Sequence, residues 1–476
     1  MVMGIIGRKS EQRDFIEWIS SEESEFICVY GRRRVGKTYF VNELLGGYYA
    51  FDASGLAKGG EAEQLRGFHA ALREYGDTSS SAPSDWWDAF ARLKTLLDCP
   101  ECPRTPEGKR AVFLDELPWF DTPRSGFMNA FSDFWNRWAQ RRRDVKLIIC
   151  GSATSWILRE VLRNEGSLNR RVTHSLFLAP FTLGEVEQYL RRERNIDWSR
   201  QQIIECYMVF GGVPYYLRQL KNRLSLAQNI TALCLSSQTP LKDEARRLLD
   251  STLSDKPLYY RVLAELGKTK QGISRKELVS TLGVNDGQGF TSVLLGLEEC
   301  GYIRRYDNPY RRGRKATYQL VDPFLLFSLR FIGPDRPLGD WLSYYDTPSY
   351  NAWRGNAFEI VCICHLAQLH RALSLDTMQT RDFPWVSSAA RPGAQVDLVI
   401  ERPDKITYLC EMKCTSEPFS ISSSYRADLL RKAQAFKEES KTRSAVQTVV
   451  IAAAGFRRNA NADIVIQSVD GDELFG

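Results

Sequence analysis

The run Gly31-Arg32-Arg33-Arg34-Val35-Gly36-Lys37-Thr38 constrains this chain more than any other stretch. It satisfies G-x-x-x-x-G-K-[ST] at every fixed position, and its flanks have the matching character. Glu25 to Tyr30 reads as a buried strand, and Tyr39 to Leu45 reads as the start of a helix. Strand, glycine turn and helix N-terminus together make a cradle for phosphate. Gly31 and Gly36 let the backbone close around the oxygens with N–H groups turned inward, and the helix end adds its partial positive charge. Lys37 is placed to reach the β- and γ-phosphates of ATP, and Thr38 to hold Mg²⁺. The expected fold around such a loop is α/β, with a parallel sheet.

A second motif lies at a sensible distance. Ala111-Val112-Phe113-Leu114 is a central-strand signature, and Asp115-Glu116 follow at its C-terminal end, where ligands bind in open α/β sheets. Asp115 is placed to orient the Mg²⁺ shell. Glu116 is placed to polarise an attacking water, which makes this a hydrolase reading and more than nucleotide binding. A third strand, Val145 to Cys150, leads into Gly151-Ser152-Ala153-Thr154. The hydroxyl of Ser152 either touches the γ-phosphate or the water, or it caps a helix, as that of Thr154 could.

With 476 residues, the chain is long enough for two to four domains, and 43% hydrophobic residues suffice for globular cores. The net charge of +6 permits nucleic acid as a partner without demanding it. No apolar run approaches the roughly 18 residues of a membrane helix, and Met1 to Arg8 lacks a signal-peptide layout. A cytoplasmic protein without membrane contact is therefore expected, with its 11 cysteines as reduced thiols. Cys99 and Cys102 form a lone CxxC without the second pair a zinc site needs. Cys362, Cys364, Cys410 and Cys414 sit in apolar contexts and read as core.

Residues 1–180 form the expected nucleotide-binding core. It includes a helix rich in Phe and Trp within Trp119 to Arg143. Residues 181–250 carry helical periodicity, opened by Thr182 and Glu185 at capping-box spacing and interrupted at Gly211 to Leu217; they predict a lid over the nucleotide. Residues 251–325 read as a winged helix: three amphipathic helices, the second capped by Ser274, and a hairpin holding Arg311, Arg312, Arg314 and Lys315. That basic wing is either a DNA contact or a solvated hairpin on a protein-packing module. Residues 326–350 read as a linker to a C-terminal domain, 351–476.

This last domain holds a second possible site. Ala394 to Ile400 and Ile406 to Lys413 read as strands of a hairpin centred near Asp404. Asp397 and Glu411 are equally far from that centre, so they face each other, and Lys413 shares the face of Glu411. Two facing carboxylates repel unless a cation sits between them or one is protonated. Mg²⁺ meets that need, with Lys413 orienting or activating a water against a phosphodiester. Glu359 is a candidate third carboxylate, and Gln434, on a helix from Leu429 to Phe436, is expected to face the site. The alternative is a salt-bridged hairpin on a sheet surface.

These motifs, with Gly151-Ser152, Phe181 to Glu185, Gly212-Val213-Pro214-Tyr215-Tyr216-Leu217 and Gly355-Asn356-Ala357-Phe358-Glu359, resemble the archaeal and bacterial AAA+/STAND-like P-loop ATPases that carry a C-terminal DUF234 domain. The pattern Asp397…Glu411-Met412-Lys413 is similar to the PD-(D/E)XK nuclease fold. The resemblance implies a multidomain α/β protein: a P-loop NTPase parallel sheet, a helical lid, a winged helix and a C-terminal PD-(D/E)XK-like α/β domain. It implies that Pro214 lies near the adenine or relays nucleotide state, and that an arginine, Arg170 or Arg171, is supplied near the γ-phosphate. It also implies that one loop arginine, for which Arg34 stands, contacts phosphate while the other two face solvent or a neighbouring subunit. A homo-oligomer is expected. The function expected is an ATPase coupled to a Mg²⁺-dependent nuclease, acting on DNA in preference to RNA, in a host-defence or mobile-element setting. The alternative is an ATP-driven switch or DNA-binding regulator whose nuclease-like domain is inactive.

Overall fold

The apolar runs beside the motif loops become five parallel strands: β1 (Glu25–Tyr30), β2 (Phe51–Ser54), β3 (Arg110–Asp115), β4 (Val145–Gly151) and β5 (His174–Phe177). Their order in the sheet is β2-β3-β4-β1-β5. Strand β4 thus lies between the strand that enters the phosphate loop and the strand that ends in Asp115. Both faces of the sheet are covered, so alternate residues of one strand feed two cores. Phe26 and Cys28 point into a layer holding Phe68, Trp86, Phe90, Phe131 and Trp135, while Ile27 and Val29 point to Phe15, Phe40 and Val41. The computed structural model describes all residues except 1–3, 153–155, 164–167, 169, 237–238, 247, 249–255, 308, 311–315, 333–338, 388 and 390–392. The chain divides into two units, Met1–Ala179 and Pro180–Gly476.

The Phe- and Trp-rich stretch after β3 contains the helix expected, in mixed helical geometry. It breaks into a 3₁₀ turn (Leu117–Trp119), an α-helix (Phe127–Asp133), a π turn (Phe134–Trp138) and a second 3₁₀ turn (Ala139–Arg141). Pro118 opens the first turn, and Gly126, at φ 71°, starts the helix; both residues interrupt a regular α-helical ladder.

The second unit begins with the helices Leu183–Glu193 and Arg200–Phe210, each opened by a capping box (Thr182 with Glu185, Ser199 with Gln202). The winged-helix module follows: helix Lys256–Leu266, β6 (Ile273–Ser274), helices Arg275–Leu282 and Gln288–Glu299, then β7 (Ile303–Tyr306) and β8 (Thr317–Leu320). Its antiparallel sheet has the order β6-β8-β7. Arg311, Arg312, Arg314 and Lys315 lie outside the described residues. The C-terminal module runs through helix Pro348–Cys364, the antiparallel strands β9 (Arg381–Val386), β10 (Gln395–Glu401) and β11 (Ile406–Lys413), and helix Ser423–Ser440. The strands β12 (Ala445–Ala452) and β13 (Val465–Asp470) then run parallel to β11. A parallel pair needs a crossover, and Ser423–Ser440 supplies it between β11 and β12. The multidomain α/β architecture is the one expected.

The described residues of the stretch 326–350 are packed. Helix Pro323–Phe331 brings Phe327 and Phe331 against Trp341, which is fully buried and also meets Tyr350 and Trp353 edge to face. Glu205 of helix Arg200–Phe210 accepts hydrogen bonds there from Trp341 Nε1 (3.3 Å) and the Tyr345 hydroxyl (2.7 Å). A second tie is His365, wholly buried at the end of helix Pro348–Cys364. Its Nε2 accepts from the Leu183 N–H at 2.8 Å, and its Nδ1 donates to the Val361 carbonyl at 2.7 Å. The helices expected as a lid therefore share a core with the C-terminal module. Cys364, expected in a core, is exposed. Among the described residues, no helix is long and apolar enough to cross a membrane.

Candidate functional site

The phosphate loop leaves β1 at Gly31, whose φ of 145° lies in a region L side chains avoid; a Cβ there would stand 2.5 Å from the Leu178 carbonyl oxygen. Arg34 takes φ 72°, and Gly36, at φ 86°, forms the N-cap of helix Lys37–Leu45. The buried Lys37 ammonium donates to the carbonyls of Gly31 (3.0 Å) and Arg32 (3.1 Å). Thr38 Oγ1 donates to Asp115 Oδ2 at 2.7 Å, joining the two motifs. The Glu116 N–H donates to Asp115 Oδ1 at 2.9 Å. Glu116 itself has φ 48°, which turns its side chain toward β4. There Glu116 Oε2 accepts from the Ser152 N–H (3.2 Å) and Ser152 Oγ (3.0 Å). The interposed strand β4 is what brings Ser152 within reach of the acid. Thr154 lies outside the described residues.

Of the three loop arginines, none is fully exposed. Arg32 is only 4% exposed, and Arg33 and Arg34 are half-buried. The tight wrapping that aims backbone N–H groups inward also pulls these side chains against the core. Arg170 is exposed at φ 55°, and Arg171 Nη1 donates to Gln140 Oε1 at 3.2 Å. Pro214 occupies the first turn of a short helix, Pro214–Leu217, in the second unit. One residue escaped the sequence reading. Arg8, at φ 51°, sends Nη2 to the Val35 carbonyl at 2.7 Å and to the Ala179 carbonyl at 3.2 Å, bracing the phosphate loop from behind.

In the C-terminal module, Leu398 pairs with Cys410 and Val399 with Leu409. The ladder ends at Leu398 and Cys410, one residue short of Asp397 and Glu411, and the Asp397 side chain takes up the next strand N–H. Asp397 Oδ2 accepts from the Met412 N–H at 2.9 Å. A cavity of about 280 Å³ opens over this pair, lined by Lys270, Glu359, Asp397, Glu411, Lys413 and Lys432 among others. Glu411 is almost fully buried; its Oε1 accepts from Lys432 Nζ and its Oε2 from the Tyr425 hydroxyl, both at 2.7 Å. Lys413 Nζ lies 3.7 Å from Glu411 Oε2 and 4.7 Å above the Tyr425 ring. The buried Glu359 accepts from Lys270 Nζ at 2.8 Å. Burial, then the charges of Glu359 and Glu411, push the Asp397 carboxyl up to about 7. Burial also raises Glu359, against the pull of Lys270. Burial and the neighbouring Glu411 hold the Tyr425 phenol well above its usual range, so it remains a donor.

Gln434 does not face this cavity. It is exposed and donates to Glu438. Successive helical residues rotate by about 100°, so the face of Ser423–Ser440 that presents Tyr425 and Lys432, two turns apart, excludes Gln434. The sequence reading passed over Lys270, Tyr425 and Lys432, since a lysine on a polar helix reads as a solvated one. Among the described residues no group of three or more His, Cys, Asp or Glu side chains is placed to hold a metal ion, so Glu359 does not join Asp397 and Glu411 in the three-carboxylate set expected. The carboxylates that do meet, desolvated and mutually repelling, fit an open Mg²⁺ site. Such sites use one or two carboxylates and leave the rest to water and substrate phosphate.

No family model matches the chain. An uncharacterized protein of Methanocaldococcus jannaschii is 24% identical over 441 residues, which covers 90% of this chain and 92% of that protein. Among solved structures, a Walker-type ATPase of Pyrococcus abyssi superposes with a TM-score of 0.51 at 17% identity, over 69% of this chain and 96% of the other. The ORC2 protein of Aeropyrum pernix superposes with a TM-score of 0.43 at 15% identity, over 69% and 93%. The Pyrococcus likeness establishes a P-loop ATPase fold; activity has to be argued from the site.

Proposed function

We propose that this chain binds and hydrolyses ATP and that its C-terminal module is a Mg²⁺-dependent nuclease acting on DNA, as in the DUF234-bearing ATPases its motifs resemble. The observation that carries the ATPase reading is the continuous chain Thr38–Asp115–Glu116–Ser152 at one sheet edge beside Lys37. On binding nucleotide, Lys37 exchanges the Gly31 and Arg32 carbonyls for β- and γ-phosphate oxygens. Thr38 and Asp115 would hold the Mg²⁺ shell, which would offset phosphate charge. Glu116, its carboxylate oriented by Ser152, takes a proton from the attacking water as the water oxygen bonds to the γ-phosphorus and the bond to the β-phosphate oxygen breaks.

In the second site Asp397 and Glu411 are the metal ligands. Lys413 orients the water or steadies charge developing on the scissile phosphate, and Lys432 and Tyr425 fix Glu411 in place. The basic wing supplies phosphate contacts for DNA, and the active form is a homo-oligomer in a reducing cytoplasm, which suits the free cysteines. A second reading has one observation in its favour: Glu359 and Glu411 already have lysine partners, as in a docking module driven by an ATP switch. Cleavage of plasmid and single-stranded DNA with Mg²⁺ or Mn²⁺, with and without ATP, separates the two. The nuclease reading expects cleavage that is lost in Asp397→Ala and altered in Lys37→Ala. ATP hydrolysis lost only in Lys37→Ala and Glu116→Gln, with no cleavage by any form, establishes the switch.

A further inference from the structure

The nuclease-like cavity contains a residue from outside its own module. Lys270 belongs to the 267–272 loop of the winged helix, yet its ammonium lies 2.8 Å from Glu359 Oε1 inside the cavity. The loop is held in this position from several sides. Gln319 Nε2 donates to the Lys270 carbonyl at 2.7 Å, and Gln271 Nε2 donates to Gln395 Oε1 at 2.8 Å, two residues from Asp397. Gly272 turns at φ 71° where a Cβ would sit 2.5 Å from the Tyr318 carbonyl oxygen. The opposite wall also leaves room for the ammonium. Gly355 lies inside helix Pro348–Cys364, where glycine is disfavoured, and a Cβ there would stand 3.3 Å from Lys270 Nζ.

The cavity thus holds three carboxylates and three ammonium groups, but the ammonium groups differ in origin. Lys413 and Lys432 stand on β11 and on the crossover helix, and both serve Glu411. Among these, only Lys270 comes from the winged-helix module. We propose that Lys270 is a tethered cation that occupies the Glu359 side of the metal site, competes with a divalent ion, and makes the position of the winged helix a control on metal loading. The inference rests on the nuclease reading of the cavity. A ligand that draws the 267–272 loop outward frees Glu359. By reciprocity, metal binding then favours the drawn-out loop by the same factor.

The test is a titration of Mn²⁺ against the full chain, followed by the resonance of free Mn²⁺, without nucleotide and in an Asp115→Asn background that removes the carboxylate of the ATP site. Lys270→Ala and Lys270→Met, the latter keeping the packing of the stem, are expected to bind Mn²⁺ at least about tenfold more tightly, the effect that removal of one like charge roughly 5 Å away has even in a water-like dielectric. Lys270→Arg is expected to stay near the parent, and Asp397→Asn to lose the ion. Mn²⁺ binding that depends on Asp397 but is equal or weaker in Lys270→Ala overturns the inference and leaves the metal site standing. Absence of Asp397-dependent binding in every form overturns both. Lower cleavage in Lys270→Ala at unchanged Mn²⁺ affinity also overturns it, by making Lys270 a substrate contact.

Discussion

Acidification is expected to loosen the second unit at one identifiable joint. Both ring nitrogens of His365 are committed in the neutral form: Nδ1–H donates to Val361, and Nε2 accepts from the Leu183 N–H. A second proton on Nε2 would point at another donor in a fully buried site. Burial accordingly lowers His365 from 6.5 to about 4. The folded value lies below the unfolded one, so the stabilisation is fully present above pH 6.5, shrinks as the pH falls from 6.5 to about 4, and is absent below. A shift of about 2.5 units corresponds to about 3 kcal/mol at most, at 1.36 kcal/mol per unit. Hydrogen exchange of the Leu183 amide reads this joint directly. After correction for intrinsic exchange, its protection should fall by about two orders of magnitude between pH 6.5 and 4. In His365→Gln the amide can keep a side-chain acceptor without a titrating group, and protection should be nearly flat over that range. Equal slopes in the two proteins would refute the reasoning, because the pH response would then arise elsewhere.

Arg8→Met keeps the aliphatic stem but strands the buried Val35 carbonyl. Loss of about 1–3 kcal/mol in stability and roughly tenfold in ATP affinity is expected. Thermal melting and titration of a fluorescent nucleotide check it, and unchanged affinity would make Arg8 a purely structural brace. Gly31→Ala forces both a disfavoured φ and a clash with the Leu178 carbonyl, with an expected cost of about 1–3 kcal/mol. Nucleotide binding should be lost with it, whereas a Gly46→Ala control, at a helix end where the nearest atom outside the turn is the Tyr48 ring, should keep binding. Glu116→Gln should still bind ATP while hydrolysing it at least a hundredfold more slowly, the usual scale for a missing general base (about 10²–10⁴), read by release of phosphate at saturating ATP.

Local chemistry was legible in the sequence wherever spacing alone fixed geometry. The glycine-rich loop, the apolar run before Asp115 and the boxes at Thr182 and Ser274 are all short-range patterns, and each appears as the local structure expected. The β10–β11 register was legible for a similar reason: a tight turn at Arg402 to Lys405, with Lys405 at φ 63°, leaves little freedom to slip. Convergence across the chain left no such trace. Arg8 and Lys270 reach their partners over long separations, and nothing in the residues around them distinguishes a buried guanidinium or ammonium from a solvated one. The expectation that Gln434 faces the site failed for a related reason. Helical phase cannot be assigned until one contact of the helix is known, and the choice of a polar residue was made before that contact was available.

The aromatic cluster around Trp341 limits how such a gene can be cut and rejoined. Helix Arg200–Phe210, helix Pro323–Phe331 and the start of helix Pro348–Cys364 contribute to one continuous apolar interior. A recombination event at residue 250 or 350 would split that interior and expose several large rings at once, while Ala179–Pro180 is where the chain passes from one compact unit to the other. Selection can therefore exchange the nucleotide-binding half as a cassette, but the nuclease-like sheet has to be inherited together with the helices that precede it. Change in this unit is thereby steered toward substitutions within the cavity and away from replacement of the whole C-terminal module.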